Sequence, residues 1–151
     1  MTAIAPAIDN LSLNIMEEVH VRAPIAATFA ALLEEIGPSN KGHNDTPMPM
    51  KLEAWPGGRW FRDLGDGNGH LWGHVQAIKR PTLLEITGPL MMSFGVASNL
   101  QYRLKEEGGG TSITLRHSAI GLFPEGYREQ LSQGWPLLID RIRRRVEKVK
   151  G

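Results

Sequence analysis

The spacing of apolar residues changes abruptly in the last third of the chain. From Asn99 to Ser118 the side chains facing one way are Leu100, Tyr102, Leu104, Ile113, Leu115 and His117, with a Glu-Gly-Gly-Gly break between the two sets. This alternation is typical of two strands joined by a turn. After Gly134 the apolar residues recur at helical spacing, as Trp135, Leu138, Ile139, Ile142, Val146 and Val149. Strands followed by one long helix predict an α+β domain in which the helix buries this stripe against a sheet.

Alternation also predicts a first strand, whose inner face carries Leu11, Leu13, Ile15, Val19 and Val21. Glu17 falls on that same face, so either a β-bulge intervenes or a carboxylate points inward. Pro24 follows the strand and suits the first turn of a short helix. The apolar residues of that helix are Ile25, Phe29, Leu32, Leu33 and Ile36, and Gly37 and Pro38 end it.

The middle of the chain reads as a series of short strands separated by turns. We predict the strands at Met50–Trp55, Arg59–Leu64, His70–Arg80 and Leu83–Gly88. Glycine-rich turns at 56–58 and 65–69 join the first three as hairpins. The polar connection Lys41–Pro49 shows no clear element, and the apolar, methionine-rich segment Pro89–Ala97 is either a short strand or a mobile flap.

Pro136 lies within the apparent terminal helix. An interior proline removes a backbone hydrogen bond and costs about 3 kcal/mol. We therefore predict a break near Gln133 and Gly134, with Pro136 in the first turn of the final helix and Glu125–Leu131 as a separate helical piece. Basic residues crowd this helix on the side away from its apolar stripe, where we predict a solvated face: Arg141, Arg143, Arg144, Arg145, Lys148 and Lys150.

Composition limits the function classes. The 151 residues, 41% of them hydrophobic and 22% charged, suit one globular domain, which we place at residues 11–151 after a flexible N-terminal tail at residues 1–10. A net charge of +1 favours neither nucleic acid nor a membrane surface, and the absence of cysteine excludes disulfides and thiolate chemistry. We expect no membrane insertion and no signal peptide, so a cytoplasmic location is the expectation.

Two motifs that suggest cofactors have simpler explanations. The glycine-rich run at Gly65–Gly69 opens no helix, so it is predicted to be a hairpin turn and not a phosphate-binding loop. His70 and His74 have metal-ligand spacing only on a helix, since on a strand four steps of about 3.3 Å separate them too widely for one metal ion. We therefore expect no metal and no cofactor.

The order of these elements resembles the START/Bet v 1-like (SRPBCC) superfamily, within it the branch of heat-shock protein 90 ATPase activator homologues. The segments that carry the resemblance are Val21-Arg22-Ala23-Pro24, Pro56-Gly57-Gly58-Arg59-Trp60, Gly73-His74-Val75, the run from Gly110 to Ser118, and Gly134-Trp135-Pro136. The resemblance implies a helix-grip fold, in which a curved antiparallel sheet wraps around a long C-terminal helix. Such folds often enclose a cavity and host several functions.

Large aromatic and soft side chains on several elements are candidates for lining such a cavity. We predict ligand contacts from Trp60, Trp72, Met91, Met92, Phe94, Tyr102, Leu115, His117, Trp135 and Leu138. Alternation cannot decide whether Trp60 or Phe61 points inward, because adjacent strand residues face opposite sides. His117 either orients a ligand or is a core histidine satisfied by a backbone carbonyl.

These features favour a binding protein for a small hydrophobic or aromatic molecule over an enzyme. The alternative is a polyketide cyclase or aromatase-like enzyme, for which His117 and Glu17 are the only acid–base pair we nominate. A co-chaperone-like interaction protein ranks third, and a monomer is the expected state.

Overall fold

The structure is a computed structural model that describes residues 8–148. Seven antiparallel strands form one curved sheet in the order β1-β7-β6-β5-β4-β3-β2. The strands are β1 (Ser12–Val21), β2 (Lys51–Leu52), β3 (Arg59–Gly65), β4 (Asn68–Lys79), β5 (Leu83–Gly88), β6 (Val96–Glu107) and β7 (Gly110–Gly121). The helices are α1 (Ile8–Leu11), α2 (Ile25–Ile36) and α3 (Tyr127–Lys148), with a 3₁₀ turn at His43–Asp45. The predicted helix-grip arrangement is confirmed.

The ends of the chain need one correction. Residues 1–7 of the predicted tail and Val149 of the apolar stripe lie outside the described residues. Ile8–Leu11, which we assigned partly to the tail, forms a single helical turn directly before β1.

The pairing of strand β1 decides between the two alternatives for Glu17, a β-bulge or an inward carboxylate. Its pairing with β7 runs without interruption from Ser12 opposite Ile120 to Val21 opposite Thr111, so no bulge intervenes. Glu17 therefore lies on the inner face opposite Leu115, and its side chain is half-buried. The inward carboxylate is the correct alternative.

The segment between α2 and β3 is more irregular than predicted. Only Lys51 and Leu52 pair with β3. The chain then turns, and the carboxylate of Glu53 forms an ion pair with the guanidinium of Arg59 at 2.7 Å. Trp55, on the turn that follows, remains 58% exposed. The connection before β2 folds back on itself, with a bridge between Lys41 and Pro47 around the 3₁₀ turn.

The segment between β5 and β6 is a turn held against β4. The amide of Leu90 donates to the carbonyl of Trp72 at 2.7 Å, and the side chains of Leu90 and Met92 are buried. β6 begins only at Val96. Of the two alternatives for Pro89–Ala97, the short strand is wrong for residues 89–95, and Val96 and Ala97 belong to β6.

Helix α3 is continuous from Tyr127 to Lys148, so the predicted break at Gly134 is wrong. The physical reason is the position of Pro136. Both Pro136 and Ser132, whose carbonyl loses its helical partner, lie on the exposed face, where water can replace the missing hydrogen bond. The described part of the predicted stripe is buried and comprises Trp135, Leu138, Ile139, Ile142 and Val146.

The helix does not cover the sheet evenly. α3 packs mainly against α2 and against β1 at one edge of the sheet. Toward the other edge, the side chains of Trp60 on β3 and Trp72 on β4 point inward, and α3 packs less closely against these two strands. A pocket opens there.

Candidate functional site

The pocket has a volume of about 740 Å³ and lies between α3, the end of α2, and the connection from Asn40 to Met48. Its apolar lining consists of Ile36, Met48, Trp60, Trp72, Met91, Leu131, Trp135, Leu137 and Leu138. Its polar lining consists of Asn40, Lys41, His43, Asn44, Asp45, Tyr127, Gln130, Gln133 and Arg141, with Gly42 and Gly134 completing the wall. Many of the polar residues are exposed and form the mouth, whereas both sheet tryptophans are buried at the inner end.

Two tryptophans from neighbouring strands form the sheet side of the pocket. The rings of Trp60 and Trp72 meet edge to face with centroids 5.0 Å apart. The Trp60 indole donates to the carbonyl of Ile36 at 2.8 Å, and the Trp72 indole donates to Nδ1 of His70 at 3.1 Å. Both rings are therefore held in place by a hydrogen bond as well as by packing.

The same geometry answers which of two adjacent aromatic residues faces inward. Trp60 is only 1% exposed and lines the pocket. Phe61 is half-buried on the opposite face of the sheet, where the guanidinium of Arg59 lies 4.7 Å from its ring centre. Arg59 thus covers the outward ring.

Trp135 connects the pocket wall with a buried histidine. Its indole N–H donates to Nδ1 of His117 at 3.1 Å, and Nε2 of His117 lies 3.1 Å from the hydroxyl of Ser98. Because an indole N–H only donates, Nδ1 accepts, and the neutral ring carries its proton on Nε2 and donates it to Ser98. Burial lowers the pKa of His117 from 6.5 to about 4. Of the two interpretations of His117, the core histidine fits, with side chains in place of the expected backbone carbonyl as partners.

The structure brings half of the predicted ligand contacts together. The pocket is lined by Trp60, Trp72, Met91, Trp135 and Leu138. The other five, Met92, Phe94, Tyr102, Leu115 and His117, are outside its lining. Phe94 instead packs edge to face against Phe123 and Tyr127, while the other four are buried in the core.

The nominated acid–base pair is not presented to the pocket. Glu17 lies opposite Leu115 and His117 lies opposite Ile15, so the two residues are diagonal neighbours on adjacent strands. Neither of them lines the pocket, and His117 is fully buried with both ring nitrogens bonded. A cyclase reaction in this pocket would need a different acid or base.

Arg141 is the functional candidate that sequence reasoning missed. It lines the pocket, its side chain is 12% exposed, and its Nε lies 3.3 Å from Oε1 of Glu35 on α2. Arg145, one turn further along α3, binds the other oxygen of Glu35 at 2.5 Å. The predicted solvated face is therefore wrong for Arg141, although Arg143 and Arg144 do pair with the partly exposed Asp140. The missed signal was Glu35, a carboxylate on the same helical face as the buried Thr28 and Ala31.

The connection across the pocket mouth places a carboxylate near Arg141. Oδ1 of Asp45 lies 3.9 Å from Nη1 of Arg141, and the Asp45 side chain is 70% exposed. Asn44 and Asp45 both adopt left-handed backbone conformations, with φ of 56° and 58°. Asn and Asp tolerate this conformation better than most residues, so the turn suits these two side chains.

The described residues offer no metal centre. Between residues 8 and 148, no group of three or more histidine, aspartate or glutamate side chains is arranged to hold a metal ion. His70 lies on β4 and accepts the indole hydrogen bond of Trp72, and His74 is exposed on the same strand.

In the described part of the chain, no helix has both the length and the apolar character needed to cross a membrane.

Several solved structures share this fold. CalU16 from Micromonospora echinospora superposes with a TM-score of 0.62 at 22% identity, covering 85% of this chain and 73% of that one. Ara h 8.0201 gives a TM-score of 0.66 at 15% identity, covering 89% of this chain and 97% of its own. The di-domain ARO/CYC StfQ from the steffimycin biosynthetic pathway gives 0.68 at 13% identity, covering 95% of this chain but 53% of StfQ. At these identities the likeness establishes the fold alone.

Sequence comparison identifies the family. No curated protein matches the chain. A family model described as "Activator of Hsp90 ATPase homolog 1-like protein" matches residues 23–147, from the start of α2 almost to the end of α3. This chain therefore belongs to the Activator of Hsp90 ATPase homolog 1-like family.

Proposed function

We propose that this protein binds a small hydrophobic or aromatic molecule in the pocket between α3, Trp60 and Trp72. The observation that carries the proposal is a cavity of about 740 Å³ whose lining includes three indole rings. Binding sites for small organic molecules are concave and mostly apolar, with a few polar groups, and typically measure about 300–1,000 Å³. The pocket has that size, and apolar atoms form most of its lining surface.

The nature of the lining supports a flat ligand. Trp60, Trp72 and Trp135 each use their indole N–H within the protein, so their ring faces and edges are what they offer to a ligand. Met91, at the same pocket, is a flexible side chain that adapts to different shapes. These contacts are apolar, and a ligand held by them needs large apolar surfaces of its own.

The test uses N-phenylnaphthylamine, a neutral aromatic probe that fluoresces in apolar surroundings. We expect saturable binding of one probe per protein, with energy transfer from the pocket tryptophans. Amide chemical shifts should change in the 40–48 connection and in α3 from Tyr127 to Arg141, with little change in β7 on the far side of the helix. Native mass spectrometry of protein purified from its host would show whether a natural ligand copurifies.

A matched pair of variants locates the probe. Gly134 lines the pocket, and a Cβ atom there would meet no atom within 4 Å beyond the backbone of its own helix, so Gly134→Phe starts a side chain in open space. We expect this variant to fold and to lose probe binding, because the new ring occupies pocket volume. Ser132→Phe adds the same ring at an exposed position outside the lining and should bind as the parent does. Absence of probe binding in the parent, or equal binding by all three proteins, would contradict the proposal.

A further inference from the structure

The pocket lining contains one mostly buried cation, Arg141, whose hydrogen-bonding capacity is mostly unused. Arg141 carries five N–H donors, and the described residues accept one hydrogen bond from it, at Oε1 of Glu35. Its Nη1 lies 3.9 Å from Asp45, beyond hydrogen-bond distance. Among the described residues, the hydroxyl of Tyr102 is the only fully buried side-chain nitrogen or oxygen atom that lacks a hydrogen-bond partner. The terminal nitrogens of Arg141 also lack a partner among these residues, so they are accessible and not enclosed in the core. They are reached from the pocket that Arg141 lines.

The charges around Arg141 leave an excess of positive charge at this place. Glu35 is shared by Arg141 and Arg145, one carboxylate oxygen for each guanidinium. Lys41 lies at the mouth of the same pocket, and Asp45 is the acidic residue in its lining. A second carboxylate brought in by a ligand would therefore meet an arginine that is oriented by Glu35 but not neutralised by it.

We propose that Arg141 is the anchor for an anionic group, so that the ligand is an organic acid with a flat apolar body. The body lies against Trp60, Trp72 and Trp135, and the acidic group accepts hydrogen bonds from the terminal nitrogens of Arg141. Asp45 occupies the neighbourhood of this anchor. It lies on an exposed turn, and it competes with the ligand's acidic group for the same guanidinium. This inference rests on the proposed function and specifies the chemical class of its ligand.

The test compares two probes that share one aromatic skeleton: neutral N-phenylnaphthylamine and its sulfonated counterpart, anilinonaphthalene sulfonate. In the parent protein we expect the sulfonate to bind at least about tenfold more tightly, as charge-assisted hydrogen bonds to an oriented guanidinium imply. Arg141→Met keeps an unbranched side chain and removes the charge. It should abolish this preference, so that the two probes bind the variant with affinities within about twofold of each other.

Arg145→Met is the matched control. It removes the same charge from the same helix and the other partner of Glu35, but it lies outside the pocket lining. The preference for the sulfonate should persist in this variant. An equal loss in both arginine variants would overturn the proposal, because it would indicate a general effect of charge or of the Glu35 pairing.

A third variant keeps the test decisive if Arg141→Met fails to fold. Asp45→Asn removes the competing carboxylate at an exposed position and leaves Arg141 in place, so binding of the sulfonate should tighten by about threefold without a change for the neutral probe. If neither probe binds the parent, the proposed function itself fails. If both bind the parent equally, ligand binding stands and the anionic anchor is overturned.

Discussion

The packing between α3 and the sheet differs on the two sides of the helix. Toward β1, β6 and β7 the space under the helix is filled, with Ile142, Leu115 and Ile113 fully buried and His117 bonded on both ring nitrogens. Toward β3 and β4 the helix stands apart from Trp60 and Trp72, and the pocket lies between them. Similar apolar residues thus complete a core where the helix touches the sheet and line a cavity where it does not. Their role depends on the placement of the helix.

The largest expected effect tests the filled side. Ile142→Asp places an unpaired carboxylate at a position with no solvent exposure, which should destabilise the protein by about 3–5 kcal/mol or prevent folding. Leu137→Asp, on the same helix at a position 62% exposed, should change the free energy of unfolding by less than about 0.5 kcal/mol. Urea unfolding measures both. An Ile142→Asp melting temperature within about two degrees of the parent would contradict the assignment of this face.

An intermediate effect concerns acid. The folded state holds His117 neutral with a pKa of about 4, below the ordinary value of 6.5. The unfolded chain takes up the proton first as the pH falls, so stability is complete above about pH 6.5 and declines toward about pH 4, by about 3 kcal/mol in all. The free energy of unfolding, measured in urea across this range, gives the size of the loss.

Two variants separate this histidine from other titrating groups. His117→Gln keeps an acceptor and a donor but does not titrate, so the part of the acid dependence due to His117 should vanish. His43→Gln changes an exposed histidine at the pocket mouth and should retain the parent's pH profile. If His117→Gln shows the same profile as the parent, His117 is not the neutral, buried group that the filled side requires.

The smallest expected effect on stability concerns the hydroxyl of Tyr102. The hydroxyl of Tyr102 is buried without a hydrogen-bond partner, and burial raises the pKa of this phenol. Tyr102→Phe should therefore be neutral or stabilising by about 1 kcal/mol, because it removes an unsatisfied polar group. Tyr127→Phe, at the pocket, is the control and should have little effect. A clear loss of stability in Tyr102→Phe would mean that the hydroxyl has a partner such as water from the pocket.

Much of the fold could be predicted from local patterns. The alternation of apolar residues predicts a strand at Leu83–Gly88, and β5 has these bounds. The apolar residues at helical spacing from Ile25 to Ile36 likewise correspond to α2. Pro136 misled the prediction because the rule for an interior proline does not include which face of the helix it occupies. On the exposed face the lost hydrogen bond can be replaced by water, and α3 continues.

The site was less predictable, because it depends on contacts between distant parts of the chain. The pairing of Glu35 with Arg141 joins residues 106 positions apart, and no local spacing reports it. Half of the predicted ligand contacts lie elsewhere because sequence alternation gives the face of a strand but not the part of the sheet that the helix covers. His117 shares its strand face with Leu115, and both lie on the covered part.

The Trp135 side chain has two structural roles, and this restricts which substitutions the protein can accept during evolution. Its ring belongs to the pocket wall, while its N–H satisfies Nδ1 of His117 in the core. A new ligand preference obtained by replacing Trp135 would leave that nitrogen unpaired and lower stability. Met91 and Leu137 also touch the pocket but are less buried. Adaptation to new ligands should therefore proceed through them, and a mutational scan selecting for folded protein would show Trp135 as intolerant and these two as permissive.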